Sequence, residues 1–227
     1  WLLHEENSFA QAKNTQVLVM NRSLQIYVSA TLPSMGIEGV ETATFNSWAM
    51  SIIRKVVRGR PFFKFHNVPT FVEEIKFSEE ILNALGGWVE KQKHALDIEV
   101  VEIFKKWPGQ IKSWKKAENK AILPRLKDFA HDIKESNLPK FDKDKCLEFL
   151  KRKIFDLEDY VQDIYKLLAD IVHLKHYLSP DTKLDSHLDY LKRLTEKNQA
   201  KNNLDYFDMS LILRLIQLKN GGLPDGS

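Results

Sequence analysis

The 227-residue sequence contains a single cysteine, Cys146. One cysteine cannot form an intramolecular disulfide, and its isolation excludes the cysteine-rich class of zinc site. No run approaches the roughly 18 consecutive apolar residues of a membrane-spanning helix, so we expect no membrane partner. The sequence therefore predicts a protein of a reducing compartment, the cytoplasm, in which Cys146 is a small buried apolar side chain.

Charge of one sign is not in excess, because 34 basic residues face 31 acidic ones and the net charge is +3. The charges are unevenly distributed, however. Residues 105–153 contain fifteen Lys and Arg but seven Asp and Glu, which gives this segment +8 and leaves −5 for the remainder. Such a segment can neutralise phosphates, although an ordinary solvated helix face has the same composition.

The residue patterns of the common catalytic sites are absent from the sequence. It has no Gly-x-x-x-x-Gly-Lys-Ser/Thr loop, no Asp-Glu pair for magnesium, no Gly-x-Ser-x-Gly turn and no His-Glu-x-x-His pair. His173 and His176 lie three residues apart near Asp170, but no further metal ligand is apparent. We therefore expect no catalytic residue and no metal site in this chain.

Residues 15–60 have the periodicity of strand, helix, strand and helix in that order. Apolar, β-branched runs occupy 15–20 and 40–45, and helical spacing covers 23–32 and the residues that follow 46. This order is typical of a parallel α/β sheet. Because two strands are not a stable sheet by themselves, we expect this part to be completed from outside the chain. The first residue, Trp1 rather than Met, favours the same interpretation, a piece of a longer protein.

Beyond residue 61 the periodicity is helical, and no convincing strand is found between 71 and 219. A short helix over 73–85 is expected to end at Gly86-Gly87. Helices then follow over 88–107 and 110–136, the second with a kink or break at Pro124. One long helix is predicted by a seam of apolar residues at alternating spacings of three and four: Ile154, Leu157, Val161, Ile164, Leu168, Ile171 and Leu178.

The expected fold class is therefore mainly α. It consists of a partial parallel α/β part and an all-helical lobe with a long antiparallel hairpin, whose helices join near residues 137–143. Large aromatic residues in this lobe are expected in the core, with base stacking as the alternative: Trp88, Trp107, Trp114 and Phe129.

Three runs near the start carry a family resemblance: Val17-Leu18-Val19-Met20-Asn21-Arg22-Ser23-Leu24, Leu32-Pro33-Ser34-Met35-Gly36 and Val40-Glu41-Thr42-Ala43-Thr44-Phe45-Asn46-Ser47-Trp48-Ala49. They resemble superfamily 1 helicases of the UvrD/Rep type, especially the branch of HelD, an RNA-polymerase recycling motor. The first run is similar to motif Ia of that family, and Thr-Phe-x-Ser is similar to motif Ib.

The two ends of the chain add weaker likenesses. Trp1-Leu2-Leu3-His4 resembles the end of the helix after the Walker A loop. Leu204-Asp205-Tyr206 and Gly221-Gly222-Leu223-Pro224-Asp225 resemble the approach to the Walker B strand. The resemblance implies that the parent protein binds ATP and magnesium outside this chain, and that this chain holds no cofactor itself.

The resemblance also implies three segments. Residues 1–60 correspond to part of the RecA-like subdomain 1A, 61–203 to the helical insertion 1B, and 204–227 to the return toward the RecA-like core. The implied function is a non-catalytic part of an ATP-dependent DNA helicase, which guides single-stranded or forked DNA on the rest of the helicase core. The alternative is an arm that binds RNA polymerase.

Candidate DNA-binding residues come from the resemblance and from the basic segment. The resemblance implies a single-strand track at Asn21, Arg22 and Ser23 and phosphate contact at Thr44, Asn46 and Ser47, although helix capping also explains Thr44 and Ser47. The basic segment adds Lys112, Lys115, Lys116 and Lys120. For the polymerase alternative, the partner-binding residues are Leu138 and Phe141 at the hairpin tip.

Overall fold

The computed structural model describes residue 12 and residues 15–59, 61–64, 68–180 and 183–224. The chain divides into a first unit, residues 1–53 with 225–227, and a second unit, residues 54–224. Trp1, Leu2, Leu3, His4 and Asp225, which contribute to the helicase resemblance, lie outside the described residues.

The first unit has the predicted order of strand, helix, strand and helix. These elements are β1 (Gln16–Val19), α1 (Arg22–Ser34), β2 (Glu41–Thr44) and α2 (Phe45–Val56), of which the last three residues of α2 are assigned to the second unit. The strands β1 and β2 are parallel, with Gln16 opposite Glu41 and Val19 opposite Thr44. The α/β prediction for this region is confirmed.

Helix α1 lies against β2 through polar contacts. The Gln25 amide donates to the carbonyl oxygen of Thr42 at 2.6 Å, and the hydroxyls of Ser29 and Thr42 are 2.5 Å apart. No residue of α1 is buried. The first unit therefore has little apolar packing of its own around β1 and α1.

The second unit is mainly helical, as predicted. Its elements in chain order are β3 (Phe62–Lys64), α3 (Thr70–Phe77), α4 (Glu79–Ile103), α5 (Pro108–Lys116), α6 (Ile122–Glu135), α7 (Lys140–Leu157), α8 (Tyr160–Ala169), α9 (Ile171–Tyr177), α10 (Leu184–Ala200), β4 (Asn203–Asp205) and α11 (Asp208–Asn220). Within the described ranges, no helix combines the length and apolar content that crossing a membrane demands.

The core of the second unit forms around α11. This helix packs against α4, α6 and α8. Its buried apolar side chains cover more than half of the circumference: Met209, Leu211, Ile212, Leu213, Leu215 and Ile216. The remaining side contains Ser210, Arg214 and the exposed Gln217. A helix with such a wide apolar face contributes most of its side chains to the core of a domain.

The predicted antiparallel hairpin is formed by α6 and α7, which pack together across a four-residue connection. The Lys143 ammonium group donates to the carbonyl oxygens of Ser136 at 2.5 Å and Lys134 at 3.2 Å, so it satisfies carbonyl groups at the end of α6. Cys146 lies on α7 and is 2% exposed, as expected, and burial raises the pKa of its thiol.

The prediction of one long helix along the seam from Ile154 to Leu178 is wrong. The chain forms the end of α7, then α8 and α9. Asp159 and Asp170 accept from the backbone N–H groups of Gln162 and His173, at 3.1 and 3.0 Å, and so cap the N-termini of α8 and α9. Short acidic side chains compete with helix continuation in this way, and a chain can therefore keep a heptad-like spacing while it bends.

Other helix boundaries were also predicted wrongly. The predicted helix over 73–85 is divided at Ser78 between α3 and α4. Helix α4 runs through Gly86 and Gly87, because α9 packs against α4 there and the Tyr177 ring occupies the space beside Gly87. The segment 110–136 is two helices, and the break lies at 117–121. Pro124 stands in the first turn of α6, where its missing N–H group costs no helical hydrogen bond.

The second unit also contains strands, contrary to the prediction of an all-helical lobe. Strands β3 and β4 are parallel, with Phe62 opposite Asn203 and Lys64 opposite Asp205. Each strand has only three residues, which is too few for an alternating pattern of apolar and polar residues to be recognised. The strand β4 also begins with Asn203, directly after polar residues that are typical of a turn.

Candidate nucleic-acid interface

The residues implied by the helicase resemblance meet at one edge of the first unit's sheet. Because β1 and β2 are parallel and Val19 is opposite Thr44, the carboxyl ends of the two strands lie at the same edge of the sheet. Helix α1 begins there after Asn21, and α2 begins directly after Thr44. Neither helix has an acidic residue in its first turn. The partial positive charge at each N-terminus is therefore not neutralised locally, which suits an anion.

Two of these side chains act as helix caps. Asn21 Oδ1 accepts from the backbone N–H of Leu24 at 2.9 Å, and Thr44 Oγ1 accepts from that of Ser47 at 3.2 Å. The Ser47 hydroxyl also donates to the Thr44 carbonyl oxygen at 2.9 Å. The capping interpretation of Thr44 and Ser47 thus has its hydrogen bonds in place.

The other three residues at this edge differ in exposure. Arg22 and Ser23 are exposed, and Asn46 is half-buried. The Arg22 guanidinium donates to the Gln25 amide oxygen at 2.9 Å, a surface contact that a phosphate could replace at little cost. Arg22 is the charged member of this group and the one suited to a charge-assisted bond with phosphate.

In the second unit, α5 presents three lysines on one exposed face. Lys112, Lys115 and Lys116 have the i, i+3, i+4 spacing that places side chains next to each other on a helix. Helix α5 contains no acidic residue, and none of the three lysines forms an ion pair with any residue that the structure describes. Like charges at this spacing destabilise a helix by about 0.2–0.5 kcal/mol per pair, so an anionic ligand would relieve their repulsion.

The opposite face of α5 is fixed to the core by Trp114, which is 1% exposed. Its indole N–H donates to Asp97 on α4 at 2.7 Å. Arg125 on α6 bonds the Trp114 carbonyl oxygen at 3.1 and 3.3 Å, pairs with Asp97 at 2.9 Å and lies 3.7 Å from the indole ring centroid. These contacts hold α5 in a fixed position against α4 and α6, which favours a preformed binding surface on its lysine face.

Several other members of the basic segment are already paired with acidic residues or buried. Arg125 is 2% exposed and belongs to the core, where burial lowers the pKa of its guanidinium. Lys120, the fourth candidate, pairs with Asp128 at 2.7 Å. Lys127 and Lys153 pair with acids at 2.7 and 2.5 Å. The surface available to phosphate is therefore narrower than the +8 of residues 105–153 suggests, and α5 is the helix of this segment whose exposed lysines are not accompanied by an acidic residue.

The two candidate partner-binding residues at the hairpin tip differ in exposure. Phe141 at the start of α7 is 69% exposed, with the Lys145 ammonium group 4.2 Å from its ring centroid. Leu138 in the connection is half-buried. The tip thus presents one large apolar side chain beside a positive charge.

The remaining candidates serve packing. His173 Nε2 lies 2.8 Å from the Ala84 carbonyl oxygen and so links α9 to α4, while Asp170 caps α9. Trp114 and Phe129 are buried, with ring centroids 5.2 Å apart, as expected for the core.

Two features escaped the sequence reasoning. Asp97, the acceptor that fixes α5, has no local signal because its partners lie 17 and 28 residues away in sequence. The same is true of three lysines around a cavity beside β4, where no run of charge marks the site.

Comparisons of the chain with protein-family models, with curated proteins and with solved structures gave no match. The case for a function therefore rests on the residues and their geometry.

Proposed function

We propose that the chain is the non-catalytic, 1B-containing part of an ATP-dependent, UvrD-like DNA helicase of the cytoplasm, and that it guides DNA for the parent motor. The observation that carries the proposal is the face of α5, where Lys112, Lys115 and Lys116 are exposed and unpaired among the described residues. The parallel β–α–β start of the first unit agrees with the RecA-like part of this interpretation.

The proposed contact is electrostatic and independent of base sequence. Lysine ammonium groups neutralise phosphates and release counterions, whereas base readout requires side chains placed against base edges. At the edge of the first unit's sheet, Arg22 and Ser23 would supply further phosphate contacts. ATP and magnesium would be bound by the parent protein, whose catalytic motifs this sequence lacks.

The proposal predicts how strongly the DNA affinity depends on salt concentration. Three phosphate contacts to a single strand correspond to a slope of about −2.1 in log K against log salt concentration, since each contact contributes about −0.7. Between 50 and 200 mM salt, the affinity should therefore fall about 18-fold. A protein held mainly by apolar contacts would lose much less.

The test is fluorescence anisotropy of the chain with labelled single-stranded and forked DNA over that salt range. In the variant Lys115→Gln/Lys116→Gln we expect a shallower slope, by about 1.4, and weaker binding at low salt. The control variant Lys166→Gln/Lys183→Gln removes the same charge from two exposed lysines on α8 and before α10, and it should bind as the unmodified chain does. Absence of DNA binding at the lowest salt, or equal losses in both variants, would contradict the proposal.

One observation favours a second candidate function, an arm that binds RNA polymerase. Phe141 is 69% exposed at a hairpin tip and the Lys145 ammonium group lies 4.2 Å from its ring centroid, so the tip offers a protein partner an apolar contact beside a positive charge. The test is a pull-down of purified RNA polymerase with the chain, with Phe141→Asp and with the control Val172→Asp, a substitution at another apolar residue that is 82% exposed. Selective loss with Phe141→Asp would support the arm, and equal retention by all three proteins would exclude a role for the tip.

A further inference from the structure

We propose that the second unit contains a phosphate-binding cavity where β3 and β4 meet the C-terminal end of α10. This cavity has a volume of about 260 Å³ and is separate from α5. It would accept the phosphate monoester of a nucleotide, either free or at the end of a nucleic-acid strand. The inference stands independently of the proposed function, because it uses none of the α5 lysines.

The charge around the cavity is of one sign. Lys64, Lys197 and Lys201 line it, and no carboxylate does so among the residues that the structure describes. None of the three ammonium groups has an ion-pair partner in that part of the chain. The C-terminus of α10 contributes only about half a negative elementary charge, so three full positive charges dominate the local potential.

Two amide side chains supply the second, independent observation. Asn198 and Asn203 line the same cavity and are only 6% and 7% exposed as whole residues. Their side-chain amides form no hydrogen bond with the described residues, and their atoms are not among the fully buried unpaired ones, so these groups are accessible to a ligand in the cavity. Amide N–H groups on the wall of a basic cavity are suitable donors to phosphate oxygens, and a bound phosphate would satisfy them.

The backbone holds these donors in place. Asn202 adopts a left-handed conformation, with φ 50°, and so turns the chain sharply between α10 and β4. Asparagine tolerates this conformation better than most residues do. The turn places Lys201 and Asn203 on either side of Asn202, and Asn203 is opposite Phe62 in the β3–β4 pair. The cavity is therefore built on secondary structure, which favours a preformed site.

An aromatic side chain suggests what else the ligand carries. Tyr190 lines the cavity and is 38% exposed as a residue, and an edge contact to Phe71, with centroids 5.5 Å apart, orients its ring. Leu194 extends the apolar side of the wall. A nucleobase can stack on such a ring whatever its identity. A phosphate with a base attached thus matches both sides of the cavity better than inorganic phosphate does.

The test uses the whole chain and four probes: AMP, adenosine, and a short oligothymidylate with either a 5′-phosphate or a 5′-hydroxyl. Binding is measured by calorimetry, and the side-chain amide signals of Asn198 and Asn203 are followed by NMR. We expect AMP to bind and to shift both amide signals, and adenosine to do neither. In Lys197→Gln/Lys201→Gln the Kd for AMP should rise about tenfold or more, a change of about 1.4 kcal/mol.

The matched control is again Lys166→Gln/Lys183→Gln, which removes the same charge away from the cavity and should leave the Kd for AMP within about twofold, less than about 0.5 kcal/mol. Binding of the 5′-phosphorylated strand but not of AMP or the 5′-hydroxyl strand would support the cavity and identify a strand end as the ligand. The proposal would be overturned by equal binding of AMP and adenosine, by no binding of any phosphorylated probe, or by equal losses in the two variants.

Discussion

At the scale of single residues, three basic side chains in the described part of the chain are buried and serve the fold: Lys76, Arg125 and Lys219. Lys219 is completely buried, pairs with Asp163 and donates to the Leu157 carbonyl oxygen at 2.7 Å. Lys76 is 2% exposed and pairs with Asp208 at 2.6 Å. Burial lowers the pKa of Lys219 and raises that of Asp208. Because removing one partner would leave an uncompensated buried charge, these lysines serve the fold and are unavailable to a phosphate.

Two adjacent glycines in α4 have opposite roles. A Cβ atom added at Gly86 would meet nothing within 4 Å, whereas one at Gly87 would lie 1.8 Å from the Tyr177 hydroxyl oxygen. Both residues are half-buried and helical. Gly87 therefore permits the close approach of α9 to α4, while Gly86 only lowers helix propensity.

We predict that Gly86→Ala raises the free energy of unfolding by about 1 kcal/mol, the usual gain for this change inside a helix. Gly87→Ala should lose that gain, because the Tyr177 ring must move out of its position. Urea unfolding of both variants measures the difference. The matched control is Gly87→Ala in a Tyr177→Ala background, where the substitution should again stabilise. Equal stabilisation by both single substitutions would show that the Tyr177 contact does not matter.

At the scale of elements, contacts between segments distant in sequence hold the second unit together. Tyr165 on α8 is 2% exposed, and its hydroxyl donates to the Asn203 carbonyl oxygen on β4 at 2.6 Å. Burial raises the pKa of Tyr165 from 10.0 to about 12. The folded protein therefore keeps this proton at a pH where the unfolded chain releases it.

This difference predicts a pH dependence of stability. The contribution of Tyr165 is fully present below pH 10 and is lost as the pH rises toward 12, because the folded state then binds more protons than the unfolded one. The loss should reach about 2.7 kcal/mol for two pKa units. Urea unfolding of the unmodified chain and of Tyr165→Phe at pH 8 to 12 isolates this effect from other titrating groups. A constant difference between the two proteins across this range would contradict it.

The elements that were predicted well from the sequence have a clear hydrophobic periodicity or are bounded by residues that end a helix or strand. The α6–α7 hairpin follows from two amphipathic segments around Asn137-Leu138-Pro139, and β1 from a short β-branched run. The failures share a cause in tertiary contacts. Gly87 is helical because Tyr177 packs there, and β4 exists because β3 lies beside it. No local pattern can signal a partner 90 or 141 residues away, the separations of Gly87 from Tyr177 and of Phe62 from Asn203.

The candidate site shows the same limit. The lysines of α5 were found because they are consecutive neighbours on a helix, with no acid between them. Their availability could not be read from the charge of the segment alone, since Lys120 and Lys127 belong to the same basic segment and are paired with Asp128 and Glu158. The lysines of the cavity beside β4 come from two elements that are 133 residues apart at their nearest members, Lys64 and Lys197. Only the fold brings such residues together.

At the scale of the whole molecule, the two units differ in how much apolar surface they bury. The second unit has a continuous core around α11, with side chains such as Leu211 and Ile216 completely buried. In the first unit, Met20, Ile26 and Tyr27 are 86%, 60% and 66% exposed. Since parallel sheets are normally covered on both faces, β1 and α1 have less packing than such an element needs.

We therefore predict unequal local stability, measurable by amide hydrogen exchange with mass spectrometry. Peptides from residues 15–35 should exchange with an opening free energy close to zero, whereas peptides from α11 should need global unfolding, about 5–15 kcal/mol. Under the proposed function, further strands of the parent helicase would cover Met20 and Ile26, so the same peptides should become protected in a longer chain that includes those strands. If β1 and α1 were already as protected as α11, the first unit would be stable without such strands, and the RecA-like interpretation would lose its physical basis.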